Sequence, residues 1–459
     1  MSDSKGTYVV ETYGCQMNVH DSERIAGLLE ADGYAPAATP ETADVVVVNT
    51  CSVRERAEEK LFTRLGEIRA AAQETGHRPL VAVAGCVAQQ EGAAILKRSR
   101  LVDVVVGTQA VKQLPSLVAR AAAGSRAPLI DLHPHEDVSF PFGLTRRDDP
   151  VRAYVTIIEG CNEFCSFCVV PYTRGHERMR PVAEIVAEAR HAAATGRREI
   201  QLLGQIVNHY QAPDRPGVDF AGLLELVHEI EGLERIRFAS PHPRHFTRRT
   251  VEAIRDLPKV CKHVHMPVQS GSTAILKAMR RRYTREEYLD LVASIRETIP
   301  GVAVSTDMIV GFPGETEADF QDTLSLTRVA RFQSMYSFKY SARPRTLAGQ
   351  RYVDDVSEPE KSRRIVALQQ AQKDVQSEIL AGMVGKTYQV LVDGPSRRRP
   401  DEWAGRTAGN IVVNFAARAD SSAAGVPGAD GLLGRMVAVR VTEGGPNAVK
   451  GVQVEEASC

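Results

Sequence analysis

From Thr7 to about residue 124 the chain alternates short apolar runs with amphipathic stretches. Tyr8–Thr12 precedes 21–32, Asp44–Val48 precedes 54–73, and Leu80–Ala84 and Val102–Val106 are each followed by helical patterning. This alternation predicts an open parallel sheet with helices on both faces. Three of the runs end in cysteine, as Tyr13-Gly14-Cys15, Asn49-Thr50-Cys51 and Ala84-Gly85-Cys86. Ligands of such sheets bind beyond the carboxyl ends of the strands, so the three thiols are expected on one edge.

A polar, proline-bearing stretch at 125–149 reads as a linker. The β-α alternation then resumes, with strands expected at Ala153–Ile158, Glu199–Leu203, Ile236–Ala239, His263–Pro267, Val302–Val310 and Ser334–Tyr340. Six strands with intervening helices predict a partial (β/α)6 barrel whose working face is the C-terminal end of the strands. A long helical stretch, Pro359–Ala381, leads to a different texture. Thr387–Val392, Ile411–Phe415, Met436–Val441 and Gly451–Glu455 alternate as strands between glycine-rich turns. A small all-β barrel is expected there. The fold class is therefore α/β, in three units: an open αβα sheet (7–124), a partial barrel (150–380) and a small β-barrel (381–455).

Composition adds limits. The 459 residues are 43% hydrophobic and 25% charged, with a formal charge of zero; this suits a folded protein and sends any search for a nucleic-acid surface to local basic runs. The opening residues lack a basic-then-apolar leader, and no apolar run approaches the roughly 20 residues that span a bilayer. The expectation is a cytoplasmic protein without a membrane partner. Eight cysteines in a chain of that kind favour metal ligation or catalysis over disulfides.

Cys161, Cys165 and Cys168 lie in CxxxCxxC spacing directly after the first barrel strand. A loop of this length wraps a 4Fe-4S cube with three thiolates and leaves one iron open. An enzyme of the radical S-adenosylmethionine type uses that iron to chelate the amino and carboxylate groups of its cosubstrate. A zinc site is the lesser reading, because such sites usually pair two CxxC units. Cys15, Cys51 and Cys86 form no local motif; by themselves they read equally as ligands of a second cluster and as small buried hydrophobes. Cys261 is expected in the core and Cys459 to be idle.

Other strand ends carry polar groups and glycines. Asp307 and Gly311, in Asp307-Met308-Ile309-Val310-Gly311-Phe312-Pro313-Gly314-Glu315, suit close approach by the adenosine or amino-acid part of a ligand. Gln205, Asn208, Ser240 and His242 are candidates to line the same cavity, although each could merely cap a helix. Arg397, Arg398 and Arg399 in the last unit are candidate contacts to RNA phosphates, as is the run Arg280-Arg281-Arg282, and solvated surface is the plainer reading of both.

With these residues assembled, the chain resembles the methylthiotransferases of the radical S-adenosylmethionine class, closest to the subfamily that modifies dimethylallyladenosine in tRNA. Thr12-Tyr13-Gly14-Cys15-Gln16-Met17-Asn18 is similar to that subfamily's opening signature; the relatives that modify a ribosomal protein typically carry a Gly-Cys-x-Lys-Asn form. Glu159-Gly160-Cys161 through Thr173-Arg174-Gly175, His265 through Ser272, and Val310 through Glu315 resemble further family blocks, and the last unit resembles a TRAM domain. Ile206 stands where Asn is common, Met179 where Ser is usual and Arg280 where Asn is usual; the surroundings of Gly349-Gln350 are also looser.

The resemblance implies two 4Fe-4S clusters, on Cys161, Cys165 and Cys168 and on Cys15, Cys51 and Cys86. It also implies S-adenosyl-L-methionine as cosubstrate, two molecules per turnover. The implied reaction is methylthiolation of C2 of N6-(dimethylallyl)adenosine at tRNA position 37, next to the anticodon, with sulfur carried on the second cluster. The implied partners are a tRNA bearing that nucleoside, a reductant such as flavodoxin or ferredoxin, and iron-sulfur assembly proteins, around a monomer. A methylthiotransferase for threonylcarbamoyladenosine or for a ribosomal-protein aspartate, and a non-enzymatic RNA-binding iron-sulfur protein, are the competing readings. The first and last units are expected to flank the barrel mouth.

Overall fold

The structure is a computed structural model that describes residues 5–52, 55–125, 127–134, 139–141, 143–399, 401–418 and 431–455. Cys459 lies outside the described residues. The first unit is a six-stranded parallel sheet in the order Tyr34–Pro36, Gly6–Tyr13, Val45–Thr50, Leu80–Gly85, Val102–Val106, Leu129–Asp131. Its central strand Val45–Thr50 is buried along its whole length. Val45 and Val47 join Ile25, Leu29 and Leu117 on one face, while Val46 and Val48 join Leu61, Leu65 and Val83 on the other. That division is the period-2 consequence of a strand covered by helices on both sides. The sixth strand comes from the stretch read as linker; only three residues long and half exposed at the sheet edge, it has too little apolar run to announce itself.

The strand order reverses between Gly6–Tyr13 and Val45–Thr50. Cys15 and Cys51 follow these two strands and Cys86 follows the next, so the thiols sit at the topological switch point, where open α/β sheets bind their ligands.

In the second unit, strands Arg152–Thr156, Glu199–Leu203 and Arg235–Phe238 form one parallel sheet, and His263–His265, Ala303–Val310 and Ser334–Lys339 form another. An Ile236–Val260 bridge continues the first sheet toward the second, and one hydrophobic core fills both. The six-stranded partial barrel is open between its first and last strands. Ser334–Lys339 accordingly leaves Tyr336 and Phe338 exposed.

The third unit is a closed five-stranded barrel, in the order Thr387–Pro395, Trp403–Thr407, Val412–Ala416, Val449–Gln453, Met436–Gly444. Its Trp403–Thr407 strand was not among the four expected, because Trp-Ala-Gly-Arg-Thr has no apolar alternation to read; the buried Trp403 and the closure of the barrel hold it. This barrel does not flank the mouth, contrary to expectation. Arg235 donates to the carbonyls of Arg406 and Gln389, Arg237 to those of Thr407 and Ala408, and Gln333 to that of Gly409. These residues lie at or near the starts of their strands, so the last unit covers the end of the barrel opposite the cysteine loop.

Candidate iron-sulfur sites at the domain junction

Motif residues interlock around the first three cysteines. Cys15 precedes helix Gln16–Ala31, and its backbone N–H and its thiol both lie 3.4 Å from Asn18 Oδ1. Asn18 Nδ2 donates to Asn49 Oδ1 (3.3 Å), and Asn49 Nδ2 donates to Asn18 O and Ser22 Oγ (both 2.9 Å). Gly14 and Gly85 are needed for the same reason: a Cβ would stand 2.4 Å from Asn18 Oδ1 at the first and 2.3 Å from Asn49 Oδ1 at the second, where φ is +90°. The residues beside the three cysteines are thus one buried amide network.

The Cys51 thiol lies within hydrogen-bonding reach of both Cys15 and Cys86. That shared contact lowers the Cys15 and Cys86 thiols against the burial that opposes ionisation, and the Arg174 charge helps at both. Cys51 itself is driven far upward by the same contacts. Three neighbouring thiols, two of them favoured as thiolates, suit a soft cation or an iron-sulfur cluster.

Cys161, Cys165 and Cys168 hold a tight loop after the first barrel strand. Cys161 N donates to Gly175 O (3.1 Å) and Cys168 N to Cys165 O (3.0 Å), while Ser166 is pinned through its N–H to Met279 O (3.0 Å). Gly160 is left-handed at φ +82°, and a Cβ there would meet His176 O at 2.0 Å. Burial pushes the Cys161 and Cys168 thiols up to about 12, so in the bare protein both are protonated, and a bound metal's charge would be needed to ionise them. At both sites three convergent thiols and a nearby buried guanidinium fit a thiolate-held cluster, whose net charge is negative.

That guanidinium at the second site is Arg281, which donates to Cys165 Sγ at 3.4 Å and to Pro267 O at 2.8 Å. The Arg280-Arg281-Arg282 run is thus not one surface patch. Its outer members are exposed and left-handed (φ +59° and +58°), and the middle one is buried between them. Arg280, in place of the usual Asn, occupies a conformation that Asn adopts more readily. Met179 makes a comparable substitution with a role of its own, its sulfur accepting from Gln211 N at 3.0 Å.

The candidate cavity residues divide. Gln205 Oε1 accepts from Gly160 N at 2.6 Å and braces the cysteine loop. Asn208 exchanges two hydrogen bonds with the backbone of His242, at 3.0 and 2.8 Å, so its amide serves the turn. Ile206, next to Gln205, is simply core. Ser240 is left-handed at φ +60° beside that turn. Asp307 lies 3.4 Å from His265, on the strand beside Tyr336, and Gly311 is left-handed where a Cβ would strike Lys361. His242 Nδ1 accepts from Arg244 N at 3.2 Å, which leaves the proton on Nε2, a buried donor without a protein partner. Glu163, within the cysteine loop, gathers beside His242 and His245; the His245 hydrogen bond holds its carboxyl down to about 2. Cys261 is buried in the core, as expected. Arg397 and Arg398 are exposed on the loop between the first two strands of the small barrel, and Arg399 there pairs with Glu402 at 3.0 Å.

Sequence reasoning missed the residues that join the two sites. Thr108 Oγ1 donates to Thr173 O (2.5 Å) and Gln109 Nε2 to Arg174 O (2.7 Å). Arg174 Nη2 pairs with Asp21 Oδ2 at 2.6 Å, and Arg24 with Glu159 at 3.3 Å. His20 Nδ1 lies 2.8 Å from Thr156 Oγ1. Only the block from Glu159 to Gly175, with its family resemblance, signalled any of them.

Residues 7–107 match the uncharacterized protein family UPF0004, 155–327 the radical SAM superfamily and 382–454 the TRAM domain. The chain is 44% identical over 448 residues to the tRNA-2-methylthio-N(6)-dimethylallyladenosine synthase of Solibacter usitatus, covering 97% of each chain. It is 45% identical over 449 residues to the same-named protein of Thiobacillus denitrificans, again with 97% of each covered. Among solved structures, the radical S-adenosylmethionine methyltransferase TsrM of Kitasatospora setae superposes with a TM-score of 0.55 at 15% identity, covering 75% of this chain and 77% of that one. That likeness concerns the fold alone. No helix of the described residues is long and apolar enough to cross a membrane.

Proposed function

Since the chain belongs to the radical S-adenosylmethionine tRNA methylthiotransferases, we propose that it converts N6-(dimethylallyl)adenosine at tRNA position 37 to its 2-methylthio derivative. Two S-adenosylmethionine molecules are consumed per turnover, and the work is divided between two 4Fe-4S sites. The observation that carries this reading is the placement of the Cys51 thiol in reach of both Cys15 and Cys86 at the switch point of the first sheet. A cysteine kept only for packing has no need of two thiol neighbours and an amide network around them.

In this reading Cys161, Cys165 and Cys168 hold one cluster and Cys15, Cys51 and Cys86 the other. Clusters held there would supply the electron for cleavage of S-adenosylmethionine to a 5'-deoxyadenosyl radical and the sulfur that replaces hydrogen at adenine C2. The chain's own groups do the rest. Arg281 donates to Cys165 and offsets the charge of the thiolates. Gln205 keeps the cysteine loop in register with the next strand. His242, Ser240, Asp307 and Gly311 line the cosubstrate side, with the His242 Nε2 proton free for an acceptor on the ligand. The open side of the barrel, with Tyr336 and Phe338 exposed, admits the nucleoside. Arg397 and Arg398 contact RNA phosphates, a low-potential reductant such as flavodoxin or ferredoxin supplies electrons, and assembly proteins load the clusters of a cytoplasmic monomer.

The test is anaerobic reconstitution with iron counting. About eight irons in the wild type, falling to about four in a Cys161, Cys165, Cys168 triple-Ala variant, is the expected result. Cys51→Ala should still form 5'-deoxyadenosine yet yield no 2-methylthio nucleoside in mass spectra of digested tRNA. Methylthiolated RNA from Cys51→Ala would sink the proposal.

A further inference from the structure

The buried pair between Arg174 and Asp21 crosses from the cysteine loop of the barrel to the helix that begins at Cys15. Both side chains are almost wholly enclosed, at 5% and 6% exposure. The peptide carrying Arg174 is fixed from two directions. The first unit grips it through Thr108 and Gln109, and its next residue, Gly175, accepts the N–H of Cys161. Gly175 is itself left-handed at φ +74°, with a Cβ position 2.7 Å from Gln109 Nε2, so the segment has no room to be displaced. A guanidinium is permanently charged and retains its charge in such a setting. Asp21 lies six residues past Cys15, about 9 Å along the same helix, and the helix that begins at Cys86 packs against Val170–Thr173, so the guanidinium sits close to both thiols.

We infer that Arg174 is a positioning residue for the redox chemistry of the site formed by Cys15, Cys51 and Cys86: docked from the barrel, its charge stabilises the reduced state of that site. The inference rests on the two-cluster reading above. A cluster on three thiolates is already anionic, and reduction adds another negative charge in a buried setting where uncompensated charge is costly. A positive group nearby favours the added electron and raises the potential; net charge and hydrogen bonding are the usual levers on such clusters. Asp21, the partner on the other side, opposes it. The sign of each contribution is therefore set by geometry: removal of Arg174 lowers the potential and removal of Asp21 raises it. Because Arg174 belongs to the barrel, the poise of the first unit's site depends on its docking there. One short segment thus reports to both cysteine sites.

The experiment is potentiometric titration, followed by electron paramagnetic resonance, of the full chain in the Cys161, Cys165, Cys168 triple-Ala background, so that one cluster remains. Arg174→Gln is expected to shift the one-electron equilibrium at least tenfold toward the oxidised form, about 59 mV to lower potential. Arg174→Lys is expected to stay near the parent, and Asp21→Asn to move the opposite way. Arg174→Gln leaves Asp21 buried and unpaired, so the double variant Arg174→Gln/Asp21→Asn keeps the contact neutral, and its potential should lie below that of Asp21→Asn alone. Equal potentials at full iron content, or shifts of one sign for Arg174→Gln and Asp21→Asn, would overturn the inference. So would iron loss in Arg174→Gln that the double variant does not restore, which assigns the pair a structural role. Absence of iron from the triple-Ala background would instead overturn the two-cluster reading itself, and this inference with it.

Discussion

The Glu199 carboxylate, with no solvent exposure, lies 2.8 Å from Arg237 Nε on the neighbouring strand, and the same guanidinium donates to Thr407 O of the small barrel. Arg152 completes the group at 2.5 Å on the other carboxylate oxygen. The ion pair is therefore also the latch between the second and third units.

Glu199→Gln should cost about 3–5 kcal/mol, since it leaves the buried Arg237 without a carboxylate and Arg152 with only the longer contact to Asp393 at 3.5 Å. Burial opposes ionisation of Glu199, but Arg237 and Arg152 outweigh it and hold the carboxyl at about 2, against an ordinary 4.5. A depressed carboxyl stabilises the fold above its unfolded pKa. The contribution is thus complete above about 4.5 and lost as pH falls from there through about 2. Trp403, the only tryptophan, lies buried in the small barrel, so its fluorescence should report that unit's transition moving earlier in the variant. An unchanged denaturation midpoint would contradict the latch.

His20 gives a second acid-sensitive contact, at higher pH. It is buried between Thr156 and Glu188; burial first, then the Arg24 charge, lower it from 6.5 to about 4. Glu188 is 3.6 Å away, but it is already paired with Arg147 and Arg180 at 2.7 and 2.8 Å, so His20 remains neutral. The unfolded chain takes up a proton that the folded one refuses. Stability should therefore decline as pH drops from about 6.5 toward 4, by on the order of 3 kcal/mol. Hydrogen exchange in Gln16–Ala31 should accelerate over that window, and His20→Gln should flatten the dependence.

Gly27→Ala offers a test of sign. In an exposed helix interior the change would gain roughly 0.5–1 kcal/mol. Here a Cβ would stand 1.3 Å from Leu144 O, where the linker crosses helix Gln16–Ala31 and Arg146 N donates to Glu23 O at 3.1 Å. Thermal unfolding should show destabilisation, and the 143–149 segment should become more open to proteolysis.

Arg281→Met should retain the loop but remove the donor to Cys165. Hydrogen bonds to charged groups contribute about 1.5–3 kcal/mol, so 5'-deoxyadenosine formation per bound cluster should fall by about 10- to 100-fold. Arg281→Lys should recover part of it. Equal rates at equal iron content would return Arg281 to a purely structural place.

What the sequence alone determined is what sits close together along the chain. The CxxxCxxC loop spans eight residues, so its spacing is already its geometry. Strand alternation and the three Cys-terminated runs likewise predicted the sheet, the partial barrel and the edge where the first thiols meet, because parallel β-α units allow few arrangements. Tertiary structure decided the rest. Arg174 and Asp21 are 153 residues apart, and Arg281 belongs to a run whose composition reads as solvated surface until the fold buries its middle member. Which end of the barrel the last unit covers depended on Arg235, Arg237 and Gln333 meeting backbone carbonyls of that unit. Such pairings leave no periodic trace: a charged side chain looks the same in sequence whether water or a buried partner satisfies it, and only the path of the chain selects between them.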